Sequence, residues 1–303
     1  MHIRNPLEWV FGQWDATNTI GSARPEEYWP AAQADMAPVV QKITVDDLRD
    51  AVRRGLHDFA AARTDVMFVC IIYPIIGLFI AVAEARGQFL PLLFPTAAGF
   101  ALVGPFFAVG LYEMSRNRER TGRATWLDVL KVVRSPSIGA IAGLGGLLIV
   151  LFLAWLAVAE GIYDFTMGPR PPASTLGFID GTLTTGAGWA MIGLGLVAGV
   201  IFSVAVLAIS VVSFPLLLDR PVGIGTAIET SMTAVRRNPV PLGIWGLFVA
   251  VCLFIGALPC FIGLIVVLPV LGHSTWHLYR RVVRPPAVKL VSEVSDRGVL
   301  PLP

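Results

Sequence analysis

Four apolar stretches, near residues 66–85, 90–114, 138–160 and 189–218, each reach or exceed the roughly 18 residues that separate a membrane-spanning helix from a buried core helix. A soluble fold has too little polar surface to cover four such runs. The charged fraction of the chain is 15%, where a soluble domain carries about 25%. Its mean hydropathy of +0.71 agrees.

A fifth apolar stretch, 242–279, is too long for one crossing of a hydrocarbon core of about 30 Å at a rise of 1.5 Å per residue. Pro259 lacks a backbone donor and disfavours helix in the residues before it, so the stretch divides into spans near 242–258 and 260–279. The expected fold is therefore all-α, a bundle of six transmembrane helices arranged as three hairpins over residues 41–284. Residues 1–40 and 285–303 are expected to be cytoplasmic tails, the first poorly ordered. The segment Gly168-Pro169-Arg170-Pro171-Pro172 belongs outside the bilayer, because no membrane helix accommodates it.

Charge supports this count. With six crossings and both termini in the cytoplasm of a bacterial inner membrane, every Lys and Arg except Arg86 and Arg170 falls on the inner side, as the positive-inside rule requires. Five crossings would export the basic C-terminal segment. The N-terminal patch Leu7–Gly12 is too short for the apolar core of a secretory signal.

Three segments on the cytoplasmic side share a helix-start signature, a Thr followed three residues later by an acid: Thr44/Asp47, Thr125/Asp128 and Thr226/Glu229. Each is followed by Arg, then by a second start at Thr64-Asp65, Ser135-Pro136 or Asn238-Pro239. The pattern predicts a threefold internal repeat of an amphipathic helix on the cytoplasmic face followed by a transmembrane hairpin. The second span of each hairpin carries a proline, Pro105, Pro215 or Pro269, expected to kink it around a vestibule open to the cytoplasm.

Beyond those prolines lie Glu113 with Tyr112, Asp219 with Arg220, and His273 with His277. Ionisable groups at membrane depth are costly and are functional candidates, although anchoring at helix ends is the favoured reading of them. The candidate ligand-binding ring is Glu113, Asp219, Arg236, His273 and His277. His273 and His277 stand one turn apart and present weak candidates for a haem or copper. A metal site needs at least three ligands, so no metal site and no cofactor is expected. Cys70, Cys252 and Cys260 show neither a disulfide framework nor zinc spacing.

No catalytic motif is present: no phosphate loop, no G-x-S-x-G elbow, no H-E-x-x-H and no dinucleotide fingerprint. Catalytic residues are therefore not assigned and the chain reads as non-enzymatic. The basic face suits anionic lipid and topology rather than nucleic acid. Gly139/Gly143 and Gly195/Gly199 have the spacing for close helix approach and are expected to pack inside this bundle rather than in a dimer contact. Partners are expected to be membrane lipids, with a homo-oligomer or a larger membrane complex as the alternatives.

Five segments resemble a bacterial multi-pass membrane family, domain of unknown function 2189. They are Ile43–Gly55, Leu92–Pro105, Arg134–Gly139, Ser210–Arg220 and Leu268–Arg281. The resemblance covers about residues 40–284 and implies an inner-membrane location without an activity. Two functions follow. One is binding or passing a lipid or small molecule, or stabilising an envelope complex; the other is a redox-associated subunit holding haem or copper at His273 and His277.

Overall fold

A computed structural model describes residues 38–86, 90–170, 172 and 174–284. The two tails lie outside the described residues except at Val39–Val40. These form a short strand, β1, paired antiparallel with β2 (Val283–Arg284) at the opposite end of the described chain.

All else that is regular is helical. α1 (Val45–Ala61) leads into α2 (Arg63–Cys70) and α3 (Ile72–Arg86). α4 (Leu93–Phe107) and α5 (Val109–Thr121) follow, then the single turn α6 (Asp128–Lys131). α7 (Ile138–Met167) is the longest helix; its 30 residues reach roughly 45 Å, well past a 30 Å hydrocarbon core. α8 (Thr175–Thr184) turns back on α9 (Gly186–Ser210), which α10 (Ser213–Asp219) continues. α11 (Ile224–Arg237), α12 (Pro239–Ala257) and α13 (Leu264–Val282) complete the fold.

Among the described residues, five helical segments are long and apolar enough to cross a membrane: Arg63–Ile80, Leu90–Thr121, Ile138–Met167, Gly186–Asp219 and Pro239–Ala257. Their outward faces carry large apolar side chains, including Leu196, Val200 and Val204 on α9 and Leu247, Val251 and Phe254 on α12. Such a surface on helices of spanning length suits contact with lipid. The α12–α13 connection breaks at the expected proline: α12 ends at Ala257, and Cys260 and Phe261 adopt positive φ in the turn beyond Pro259.

Helix starts follow the sequence unevenly. Thr44 and Asp47 form the complete capping box, with Thr44 Oγ1 accepting from Asp47 N and the Asp47 carboxylate accepting from Thr44 N at 2.8 Å. The second signature makes only the reverse half, Asp128 accepting from Thr125 N at 2.7 Å, and its helix lasts one turn. The third does not mark a start, since α11 begins two residues earlier at Ile224, whose side chain is drawn into the core. Thr64 likewise lies inside α2, and Ser135 bonds Ser137 N ahead of α7. Pro239 does occupy the first turn of α12.

α1, expected as an amphipathic helix on the cytoplasmic face, turns its stripe Leu48, Ala51, Gly55 and Asp58 onto protein. Gly55 lies so close to α13 that a Cβ there would sit 2.6 Å from Ser274 N. The expected vestibule is filled. The ends of α5, α10 and α13 pack together, with Met114, Phe214, Leu216, Leu217, Trp276 and Tyr279 fully buried. The prolines act differently from one another. A turn at Val211–Val212 precedes Pro215, which cannot donate to the carbonyl of Val211, and a break at Ala108 follows Pro105, while α13 runs through Pro269.

Candidate functional site

The polar residues read from the sequence converge where α1, α5, α10 and α13 meet. A one-turn spacing along α13 sets His273 and His277 on one face, towards α1 and α5. His277 Nε2 lies 2.8 Å from Asp58 Oδ2, and Ser115 Oγ donates to the same oxygen at 2.9 Å. Ser115 Oγ also lies 2.7 Å from His273 Nδ1, and Arg118 reaches Asp58 Oδ1 at 3.2 Å. Asp58, Ser115, His273 and His277 are all buried.

Burial pushes the Asp58 carboxyl upward, but the bonds from His277 and Ser115 and the nearby imidazole charge outweigh it, holding the group below its ordinary 3.8. The chain of contacts continues. Arg280 bonds Glu119 at 3.0 Å and Asp219 at 3.2 Å, and Tyr279 donates to Asp219 at 2.8 Å. The Arg280 guanidinium stacks over Trp276. Glu113 pairs with Arg116, whose guanidinium also donates to the carbonyl of Leu218.

Three of the five expected ring residues, Asp219, His273 and His277, are thus brought to the interface of the last helix with its neighbours, while Glu113 is buried beside Arg116 on α5. Arg236 is not brought there. It lies on the exposed face of α11, and no hydrogen bond or ion pair among the described residues joins it to the others. Asp58, Ser115, Arg118, Glu119 and Arg280 were missed, and Asp58 was detectable as the one acid on the apolar stripe of α1. Asn238 was read as a helix cap. Instead its amide accepts from Ile43 N at 2.9 Å and donates to Gln41 O at 2.9 Å, fastening the N-terminal segment to the start of α12.

A Ser between an imidazole and a carboxylate resembles a nucleophile relay, but Ser115 is sealed from any substrate and donates to the acid. Both histidines are engaged by Asp58 and Ser115. Among the described residues, no group of three or more His, Cys, Asp and Glu side chains is arranged to hold a metal. A cleft of about 310 Å³ lined by Arg53, Arg54, His57, Asp58 and His277 opens onto the network from outside. Asp50 holds Arg53, Arg54 and Arg281 beside it, and their charges keep its carboxyl far below the usual range.

A second cavity, about 90 Å³ and partly open, lies between α3, α4, α12 and α13 among residues of the apolar segments. Tyr73, Thr96, Ala101, Phe107 and Leu268 are among its walls, and a Cβ on Gly104 would meet nothing within 4 Å.

A helical bundle with a lipid-facing apolar surface and a buried polar junction at one end defines a multi-pass integral membrane protein. Residues 93–219 match the model of the family described as "Predicted integral membrane protein (DUF2189)", which bears out the resemblance over those residues. Comparison with curated proteins and with solved structures gives no match.

Proposed function

We propose that this is a non-enzymatic protein of the bacterial inner membrane that crosses six times, keeps both termini in the cytoplasm, and holds an apolar component of the bilayer in its lateral groove. The groove carries the reading: an apolar recess among the apolar segments, partly open, with free space above Gly104. At about 90 Å³ it is smaller than the ~150 Å³ apolar cavity that admits benzene, so it suits the end of an acyl chain rather than a whole molecule.

The pairing of Val39–Val40 with Val283–Arg284 supports an even number of crossings, because paired strands lie on one side of the membrane. With five long apolar helices, α13 supplies the sixth crossing. The basic residues of α1, α5, α11 and α13 support a cytoplasmic assignment for that side. Three helix-plus-hairpin units remain the simplest account of the chain's organisation. A haem or copper reading is not favoured, because His273 and His277 are both turned towards Asp58 and Ser115.

The test is native mass spectrometry of protein extracted gently from its own membrane. Wild type retains a lipid adduct, Gly104→Phe loses it by filling the groove, and Val150→Phe on the exposed face of α7 keeps it. Equal adducts in wild type and Gly104→Phe would overturn the reading.

A further inference from the structure

The segment between α5 and α7 is built unlike its counterparts. α1 buries its apolar stripe against α13, and α11 buries Ile224, Ala227, Thr230 and Ala234. The single turn α6 and the 3₁₀ turn Val132–Arg134 after it leave theirs outside: Trp126 is 41% exposed, Leu127 51%, Leu130 56% and Val133 68%. Four large apolar side chains on eight consecutive residues are not scattered surface residues of the ordinary kind.

Three arginines lie about this segment: Arg123 and Arg134 flank it in the chain, and Arg63 stands two residues before Asp65, which accepts from Trp126 N. Arg63, Arg123 and Arg134 are exposed, and their side chains bond no described residue. The opposite face of the segment is fixed, since Asp128 is buried and held by Lys131 and by Thr125 N. Its level is fixed too. Trp126 N bonds Asp65 Oδ1 in the first turn of α2, and Val129 packs on the cluster containing Val66 and Cys70, where the first span begins. The patch runs directly into Ile138, itself exposed at the start of α7.

A rigidly held apolar patch level with helix entrances, continuous with a lipid-facing surface and accompanied by unpaired arginines, has the chemistry of an interfacial anchor. We propose that residues 126–133 insert into the adjacent leaflet and that Arg63, Arg123 and Arg134 bind phosphate groups of anionic phospholipid there. Arginine suits this role because its planar fork matches two phosphate oxygens at once. The anchor rests on the chain being embedded in a bilayer and needs neither the groove nor a particular number of spans.

The full chain is reconstituted in bilayer discs of phosphatidylcholine with one-fifth phosphatidylglycerol. Two quantities are read: retained phosphatidylglycerol relative to phosphatidylcholine by native mass spectrometry, and quenching of the emission that Trp126→Phe removes. Wild type is expected to enrich phosphatidylglycerol. Each of Arg63→Gln, Arg123→Gln and Arg134→Gln lowers that preference by up to about fivefold, and Val150→Phe leaves it unchanged. Brominated lipid quenches the Trp126 component and aqueous iodide does not. A preference that survives all three substitutions, or a Trp126 component open to iodide and untouched by brominated lipid, overturns the proposal; the latter marks the patch as a surface for a soluble protein.

Discussion

His277 Nε2 meets Asp58 Oδ2 at 2.8 Å across 219 positions of chain, so the last helix is tied to the first by one buried polar contact. Ser115 of α5 donates to the same carboxylate oxygen. A single acid therefore joins three elements distant in sequence, and the consequences of loosening it can be stated.

Replacing His277 with Ala strips a buried carboxylate of a partner while leaving its burial intact. Such a loss costs about 1–3 kcal/mol. The expected result is a lower midpoint of thermal unfolding in detergent, with Asp58→Asn/His277→Ala losing less than the sum of the single variants because both delete one contact. Additive losses would show that the contact contributes nothing.

The same carboxylate sets a pH dependence. Its folded value lies below the ordinary 3.8, so its contribution is complete above that value, declines as the pH falls through it, and is gone below the folded value. Arg118, Ser115, His273 and His277 surround the group, and Glu119 lies beyond it, 3.8 Å from His277 Nδ1. Unfolding midpoints followed from pH 7 to pH 3 are expected to fall more steeply below pH 4 for wild type than for Asp58→Asn.

Gly55 has no room for a side chain beside Ser274. Gly55→Val forces α1 away from α13 at a cost of about 1–3 kcal/mol. Hydrogen exchange is expected to accelerate over residues 45–61 and to remain unchanged in α7. Unaltered exchange in α1 would mean the two helices are not packed as described.

Asn238→Ala removes the acceptor of the buried Ile43 N–H and the donor to Gln41 O. The penalty is about 1–3 kcal/mol and is localised. Limited proteolysis should cut near residues 38–43 in the variant, and identical digestion patterns would rule the tether out.

For the crossing number, a green fluorescent protein fused to the C-terminus is expected to be bright and an alkaline phosphatase fusion inactive. The reverse pair of results would put the C-terminus outside and overturn the six-span reading with both termini in the cytoplasm.

What the sequence conveyed well was whatever depends on length and hydropathy alone. Apolar runs announce spans because a bilayer of fixed thickness imposes one length scale, and Pro259 announces its break because a missing donor is a local fact. The box at Thr44 was legible for the same reason, since both of its bonds lie within four residues. At Thr226 the same letters misled because burial of Ile224 outweighed a local cap. The fate of α1 was hidden: an amphipathic stripe reports that something covers it, and lipid and α13 satisfy it equally. Asp58 and Ser115 were missed because their partners are supplied by helices far along the chain. α8 was not anticipated, its Ser174 cap to Gly177 N standing just after the proline-rich segment that marked the region as outside the bilayer.

The meeting of β1 with β2, and of α1 with α13, also dictates an order of events during biosynthesis. At roughly 5–20 residues per second, the ribosome needs on the order of 10–45 seconds to travel from Asp58 to His277. Throughout that interval the emerging N-terminal helix has its apolar stripe and its acid made, but no helix to receive them. Docking of α1 on α13 therefore comes late in assembly, and a chain that stalls or is cleaved before α13 leaves α1 undocked.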